Sequence, residues 1–230
     1  ELEPDELVLL QILTADVSIE ISEGQGTILN DEISLVVGDV PGIDEGLNPG
    51  GTQQVSFPVS LVHPVAVPFT VDFATSDGNE LQELSLATTP TSSFELLFNG
   101  ASSPSILPDA PPVGIGSVQE ALEQIPALTG NVQVYGTQTI DQAPVQIEFI
   151  NVLAGVDVTQ LVSSVPNFIV STLSAPAAAG SDYDATSGTL TFQPGMGPQV
   201  QNAVVNVHDD FELETVDETF RVGLDQSSML

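Results

Sequence analysis

An antiparallel β-sandwich interrupted by one small α+β unit is the fold this sequence predicts. Three observations carry the prediction. Short alternating runs rich in Val, Thr and Phe recur along the chain; Gly/Pro turns separate them; and a single stretch has the apolar period of a helix. The expected strands are VSIEI (17–21), EISLVV (32–37), QVSFPVSLV (54–62), FTVDFAT (69–75), GTLTFQ (188–193), NAVVNVH (202–208) and TFRVGL (219–224). NPGG (48–51), SDG (76–78) and PGMGP (194–198) supply turns. Many short strands with such turns read as a sandwich.

The helical stretch is SVQEALEQI. Val118, Ala121, Leu122 and Ile125 fall at i, i+3, i+4 and i+7, one helix face. Ser117 and Glu120 have the spacing of a capping box, and Pro126 stops the run. The helix lies between SFELLFNG (93–100) and NVQVYG (131–136), with PVQIEFINVL (144–153) following. Its apolar face is expected to be core against its own small sheet.

Composition removes whole classes of function. Among 230 residues there are 32 Asp+Glu and one basic side chain, Arg221, for a formal charge of −31. Nucleic-acid binding needs many cations to neutralise phosphates, and anionic membrane surfaces repel such a chain. There is no Cys, hence no disulfide, no thiolate zinc ligand and no thiol nucleophile. No apolar run approaches the roughly 18 residues of a membrane-spanning helix, and the acidic start ELEPDEL is unlike a signal peptide. An apolar fraction of 41% argues against acidic disorder. A folded chain this acidic needs bound cations, salt, or dispersal of its charge.

An internal repeat follows. ELEPDELVLLQIL (1–13) is echoed by ELETVDETFRVGL (212–224), so the chain reads as a window on a longer tandem array. The stretches EG (45–46), VSFPVSLVHPVAVPFTVDFATSDG (55–78), AAAGSDYDATSGTLTFQPGM (177–196) and VNVHDDFELETVDETFRVGL (205–224) resemble the Calx-beta family. The resemblance implies an Ig-like sandwich in four pieces. Residues 1–33 are the C-terminal strands of a preceding unit. Residues 34–78 and 177–230 are the two parts of a second unit lacking its last strand, and 79–176 are inserted in a loop between them. Long surface insertions cost little closure entropy. The inserted unit itself resembles a repeat of large bacterial surface and secreted proteins. Residues 24–30 are a candidate to pair into the vacant edge, bringing Thr27–Leu29 against Phe220–Val222.

The family resemblance also implies a calcium site. It carries over Glu45, Asp182, Asp209, Asp210, Glu214 and Glu218 as ligands of the second unit. Glu3, Glu6, Asp31 and Glu32 are their counterparts in the first. Calcium takes six to eight oxygen ligands. Two carboxylates about 4 Å apart repel by on the order of 4 kcal/mol at an effective dielectric of 20, so converging acids favour a cation or raised pKa values. The chain departs from the family pattern in three places. Phe211 stands where a third Asp often follows Asp209-Asp210, one residue is inserted between Glu214 and Glu218, and Asn30-Asp31-Glu32 replaces three aspartates.

Other chemistries fit less well. Asp209 and Asp210 are adjacent, so on a strand they point to opposite faces, poor geometry for a glycosidase pair. His63 and His208 sit at strand ends, and no G-x-S-x-G elbow accompanies them. His208 beside Asp209 is expected to favour its protonated form. GIGS (114–117) opens the helix without the Lys of a phosphate loop. There is no Trp, and Tyr183 reads as packed rather than as a sugar platform. The sequence therefore points to a non-enzymatic, Ca2+-binding structural or adhesion module. Its expected place is the cell surface or the extracellular space, in a large secreted bacterial protein. Its partners would be neighbouring repeat units of the same chain, with no nucleic acid and no membrane insertion. An acidic spacer without an ion site, and a ligand-binding role for 79–176, are the competing readings.

Overall fold

In the computed structural model of the chain, residues 6–11, 23–28, 33–44, 50–88, 92–195, 198–209 and 215–225 are described. The strand expected at 17–21 lies outside them. The first elements are β1 (Glu6–Gln11), β2 (Glu23–Ile28), β3 (Leu35–Val37), β4 (Thr52–Leu61) and β5 (Phe69–Asp77). Then come β6 (Leu81–Leu86), β7 (Leu96–Phe98), β8 (Ala101–Ser102) and α1 (Val118–Leu122). β9 (Val132–Tyr135), β10 (Val145–Phe149), β11 (Val162–Ser163) and β12 (Phe168–Pro176) follow, and β13 (Ser187–Phe192), β14 (Gln199–His208) and β15 (Asp217–Asp225) complete the order.

Two sheets make the sandwich. One is β14-β4-β3; the other is the β13-β5-β15 part of a seven-stranded sheet. Alternation explains their packing. Val55, Val59 and Leu61 of β4, and Ala203, Val205 and Val207 of β14, turn inward and are buried. Val59, Leu61 and Ala203 pack with Phe69, Val71 and Phe73 of β5 and Leu190 and Phe192 of β13, while Val55, Val205 and Val207 pack with Ala177 and Tyr183. Phe69 stacks on Phe192 at 5.1 Å between ring centroids. Burying each such side chain contributes about 1.5–3 kcal/mol. Phe220 closes one end, edge-on to Phe57 at 5.5 Å and stacked on Tyr183 at 4.5 Å.

A separate core gathers residues from within 84–168. Leu84, Phe94, Phe98, Val134, Ile147 and Phe149 surround the α1 face of Val118, Ala121, Leu122 and Ile125. Phe94 and Phe168 stack at 3.9 Å. The helix is shorter than the apolar period suggests, passing into turns after Leu122, although Ile125 is still buried. Its cap forms as expected: the Ser117 hydroxyl accepts the Glu120 N–H at 3.0 Å. The reciprocal bond lands one residue earlier, with the Glu120 carboxylate accepting the Gly116 N–H.

Two features differ from the sequence expectation. β2 pairs with β1, from Glu6↔Ile28 to Gln11↔Glu23, while Phe220–Val222 pair with Asp77–Thr75 of β5. Residues 24–28 therefore do not fill the edge of β15, and Leu29 lies outside the described residues; a hairpin partner close in sequence closes a shorter loop. The sandwich sheet is also not wholly antiparallel. β12 runs parallel to β15 over Ser174–Pro176 and Asp217–Thr219, and through β12 the sheet continues to β6, β10 and β9. A parallel pair needs a long crossover rather than a hairpin, and β12 comes to β15 from the far side of the second core.

Where β5 ends and where β12 ends, the chain returns to one point. The N–H groups of Gly78 and Ala177 both donate to the Thr219 carbonyl, at 2.8 and 2.9 Å. A Cβ on Gly78 would stand 2.1 Å from Thr219 Oγ1 and 2.3 Å from its carbonyl oxygen, so this passage admits only glycine.

Candidate metal centre

The described structure contains Asp182, Asp209 and Glu218 with their side chains. Glu6 is placed by its backbone alone, at the start of β1. Glu3, Asp31, Glu32, Glu45, Asp210 and Glu214 lie outside the described residues.

Asp209 follows the last residue of β14 and is 8% exposed. Its backbone is fixed on both sides: its N–H donates to Gly51 O at 3.0 Å, and Gly50 N–H donates to its carbonyl at 3.3 Å. Its Oδ1 accepts from Gln53 Nε2 at 3.0 Å, and the same nitrogen donates to Asp44 O at 2.9 Å. Gln53 thus ties the residue before Glu45 to the Asp209 carboxylate. Asp182 arrives from the other side. Tyr183 forms a bridge with Val207, and His208 N–H donates to Asp182 O at 2.8 Å. The Asp182 carboxylate accepts the Ala178 N–H at 2.5 Å, closing a tight turn. Glu218 is half-buried on the face of β15 that carries Phe220, and Phe220 stacks on Tyr183.

The backbone thus gathers three of the predicted acidic segments at one end of the sandwich. The side chains do not converge to the same degree: among the described residues, no three His, Asp or Glu groups are close enough to hold a metal. Two of the carboxylates already accept protein hydrogen bonds. The described carboxylates alone fall short of a calcium shell.

The same end contains groups that sequence reasoning passed over. Asp77, in the SDG turn, accepts from Tyr183 Oη at 2.6 Å and from Ala179 N–H at 3.1 Å. Burial first, and then this carboxylate, push the Tyr183 phenol far above its ordinary value. Tyr183 is 1% exposed, a packed residue as expected. Asp184, the second acid of SDYD, takes His208 Nε2 at 2.9 Å, while His208 Nδ1 faces Ser181 O at 2.8 Å. Both ring nitrogens face acceptors, so the imidazolium satisfies both. Asp184 first, and then the Ser181 carbonyl, raise the His208 pKa. The direction matches the expectation; the principal partner is Asp184 rather than Asp209. The alternation of acids through SDYD was the available signal.

Arg221 pairs with Glu148 at 2.5 Å. Partial burial pushes the Glu148 carboxyl up, but hydrogen bonds from Tyr135, Arg221 and Asn79 outweigh it and hold the pKa below its ordinary value.

Residues 143–230 match the Calx-beta domain.

The match begins in the turn before β10 and runs through β15, so it takes in part of the segment read from sequence as inserted. Calx-beta is a non-catalytic β-sandwich family associated in general with calcium binding. No curated protein matches the chain. Among the described residues, no helix is long and apolar enough to cross a membrane.

Proposed function

We propose that this chain is a non-catalytic structural module of a large extracellular or cell-surface repeat protein, whose Calx-beta sandwich is stiffened by Ca2+ at its acidic end. Glu45, Asp182, Asp209, Asp210, Glu214 and Glu218 supply the oxygens there. Glu3, Glu6, Asp31 and Glu32 serve the preceding unit and its junction, with neighbouring repeats of the same chain as partners. One observation carries the reading. Asp209 is a carboxylate held almost out of water at a strand end, tied through Gln53 to the segment that leads into Glu45. Its backbone is fixed on both sides by Gly50 and Gly51, which holds the carboxylate at that strand end.

Residues 79–176 are, in this reading, an insertion between the two parts of the sandwich. The shared Thr219 carbonyl at its two ends and its own core support that division. Calcium bound at the acidic end would fix the loops against one another without any chemical step. Extracellular modules bind calcium at about 10⁻⁴–10⁻³ M.

Thermal unfolding tests the proposal with millimolar CaCl2, with MgCl2, and with EDTA plus NaCl at matched ionic strength. A calcium-selective rise in Tm is expected. An equal rise in every salt reduces the acidic end to a screened surface and overturns the reading in favour of an acidic spacer.

A further inference from the structure

The only Arg of a chain without Lys sits where its two cores meet. Arg221 lies on the outer face of β15, in the sandwich, and its Nη2 donates to Glu148 Oε1 on β10, in the second core. Glu148 also accepts from Asn79 Nδ2 at 2.8 Å through the same oxygen, and from Tyr135 Oη at 2.7 Å through the other. It is a node for three donors: one on β15 of the sandwich, one in the connection from β5 to β6, and one on β9.

The covalent connections make this node matter. Both ends of 79–176 leave from the Thr219 carbonyl, through Gly78 and Ala177. Two connections at one point form a pivot, which resists translation but not rotation. The β12–β15 ladder covers three residue pairs and ends at Thr219, so it adds little leverage. Arg221 is two residues further along β15, about 7 Å at the rise of a strand. Between the two bodies lies a cleft of about 540 Å³ bordered by Asp77, Asn79, Gly155, Tyr183 and Arg221. The turn at Gly155 faces Asp77 closely enough that a Cβ added there would stand 3.2 Å from the Asp77 Cβ. In a chain of net charge −31, mutual repulsion acts to open that cleft.

We propose that Arg221 and Glu148 form a latch that holds the 79–176 lobe against the sandwich, and that breaking it lets the lobe swing about Thr219. Asn79 and Tyr135 position the Glu148 carboxylate for the guanidinium. The latch rests on reading 79–176 as an insertion. It makes lobe orientation an adjustable property of the module, separate from the stability of either core.

The absence of Cys makes the test direct. Thr191→Cys on β13 and Ile115→Cys ahead of α1, both exposed, give two unique sites for spin labels in the full chain. A narrow distance distribution is expected with the latch intact, and a clearly broader one in Arg221→Gln and in Glu148→Gln. Amide exchange at Gly78 and Ala177 is expected to quicken roughly two- to fivefold, the scale of an exposed ion pair. Tyr135→Phe, which leaves the sandwich untouched, is expected to broaden the distribution to a lesser degree; it serves if Arg221→Gln fails to fold. Unchanged distributions in the variants that fold overturn the latch. Native-state exchange separates that failure from failure of the insertion reading. If Val59 and Phe192 open in one step with Leu84 and Phe149, there are no two bodies to latch, and both ideas fall.

Discussion

Asp209→Asn separates a metal ligand from a merely structural carboxylate, because the two roles give effects that depend differently on calcium. In EDTA, the amide oxygen of the variant still accepts from Gln53 Nε2, so the bond seen at 3.0 Å survives. What is lost is the extra strength of a charged acceptor, about 1 kcal/mol. Relief from holding a charge at 8% exposure offsets it. The net change in EDTA is expected to lie within about 1 kcal/mol of zero. In calcium at 100 times Kd the wild-type chain gains about 2.7 kcal/mol. If removing one carboxylate weakens binding tenfold, the variant gains about 1.4 kcal/mol at the same concentration. At about 2–4 °C per kcal/mol for a chain of this size, calcium raises the wild-type Tm by roughly 5–11 °C and the variant by about half that. Differential scanning calorimetry in the two buffers reads this directly. An equal penalty in EDTA and in calcium would refute the reasoning, since the carboxylate would then act through Gln53 alone.

Three further outcomes are expected. Glu80 is 1% exposed, and burial pushes its carboxyl above the ordinary value of 4.5. Its stabilising contribution is therefore complete below that value and is lost as pH rises through the higher folded value. Chemical unfolding of Glu80→Gln between about pH 4 and pH 7 is expected to show the variant gaining on the wild type as pH rises. Tyr183→Phe keeps the stack on Phe220 but removes the bond to Asp77, costing about 1.5–3 kcal/mol in urea unfolding at neutral pH. Because the phenol is raised, the wild type loses its advantage over this variant in alkali. Gly78→Ala drives a Cβ into the Thr219 backbone and is expected to cost about 3 kcal/mol. Gly42→Ala, with nothing within 4 Å, should stay within about 0.5 kcal/mol of wild type in the same assay.

The sandwich strands were legible because their alternation matches their burial: β4, β5, β13 and β14 each put Val, Leu or Phe inward on every second residue near the core. β6 and β12 were not. In β6 the inward positions include Gln82, fully buried, while Leu81 and Ser85 lie on the other face, so polarity does not track the face. Gln82 is buried because Glu80 accepts from its amide and its own oxygen accepts the Leu161 N–H. That partnership spans distant residues and leaves no local pattern. In β12, Ile169 and Leu173 are exposed, which erases the alternation from the other direction. At the acidic end the sequence named Asp182 and Asp209, whose backbones the fold brings to one end of the sandwich. It missed Gln53, Asp77 and Asp184, whose roles depend on partners 22 to 156 residues away. The direction of β12 beside β15 was equally hidden, since strand order is set by where the second core returns its chain.

The distribution of charge bears on the choice between an ion site and an acidic spacer. Net charge alone cannot decide, because either device needs acids in number. Position does discriminate. β4, β13 and β14 contain no Asp or Glu, and neither do the loops at 62–68 and 193–198, which join strands at one end of the sandwich. Asp44, Asp77, Asp182, Asp184, Asp209, Asp217 and Glu218 fall at the other end, where β4 begins, β5 and β14 end, and β13 and β15 begin; Asp39 and the cross-strand pair Asp72 and Asp225 lie away from it. A solubility device gains nothing from placing its charge at one end rather than dispersing it. Much of the acidic end is already engaged internally: Asp77 with Tyr183, Asp184 with His208, Asp182 with its own turn. Those bonds draw the loops together around Asp209, and a divalent cation would relieve the repulsion they leave. Magnesium, which holds its waters tightly and prefers a rigid octahedron, would relieve it less well. The decisive comparison is therefore calcium against magnesium at equal ionic strength, rather than salt against no salt.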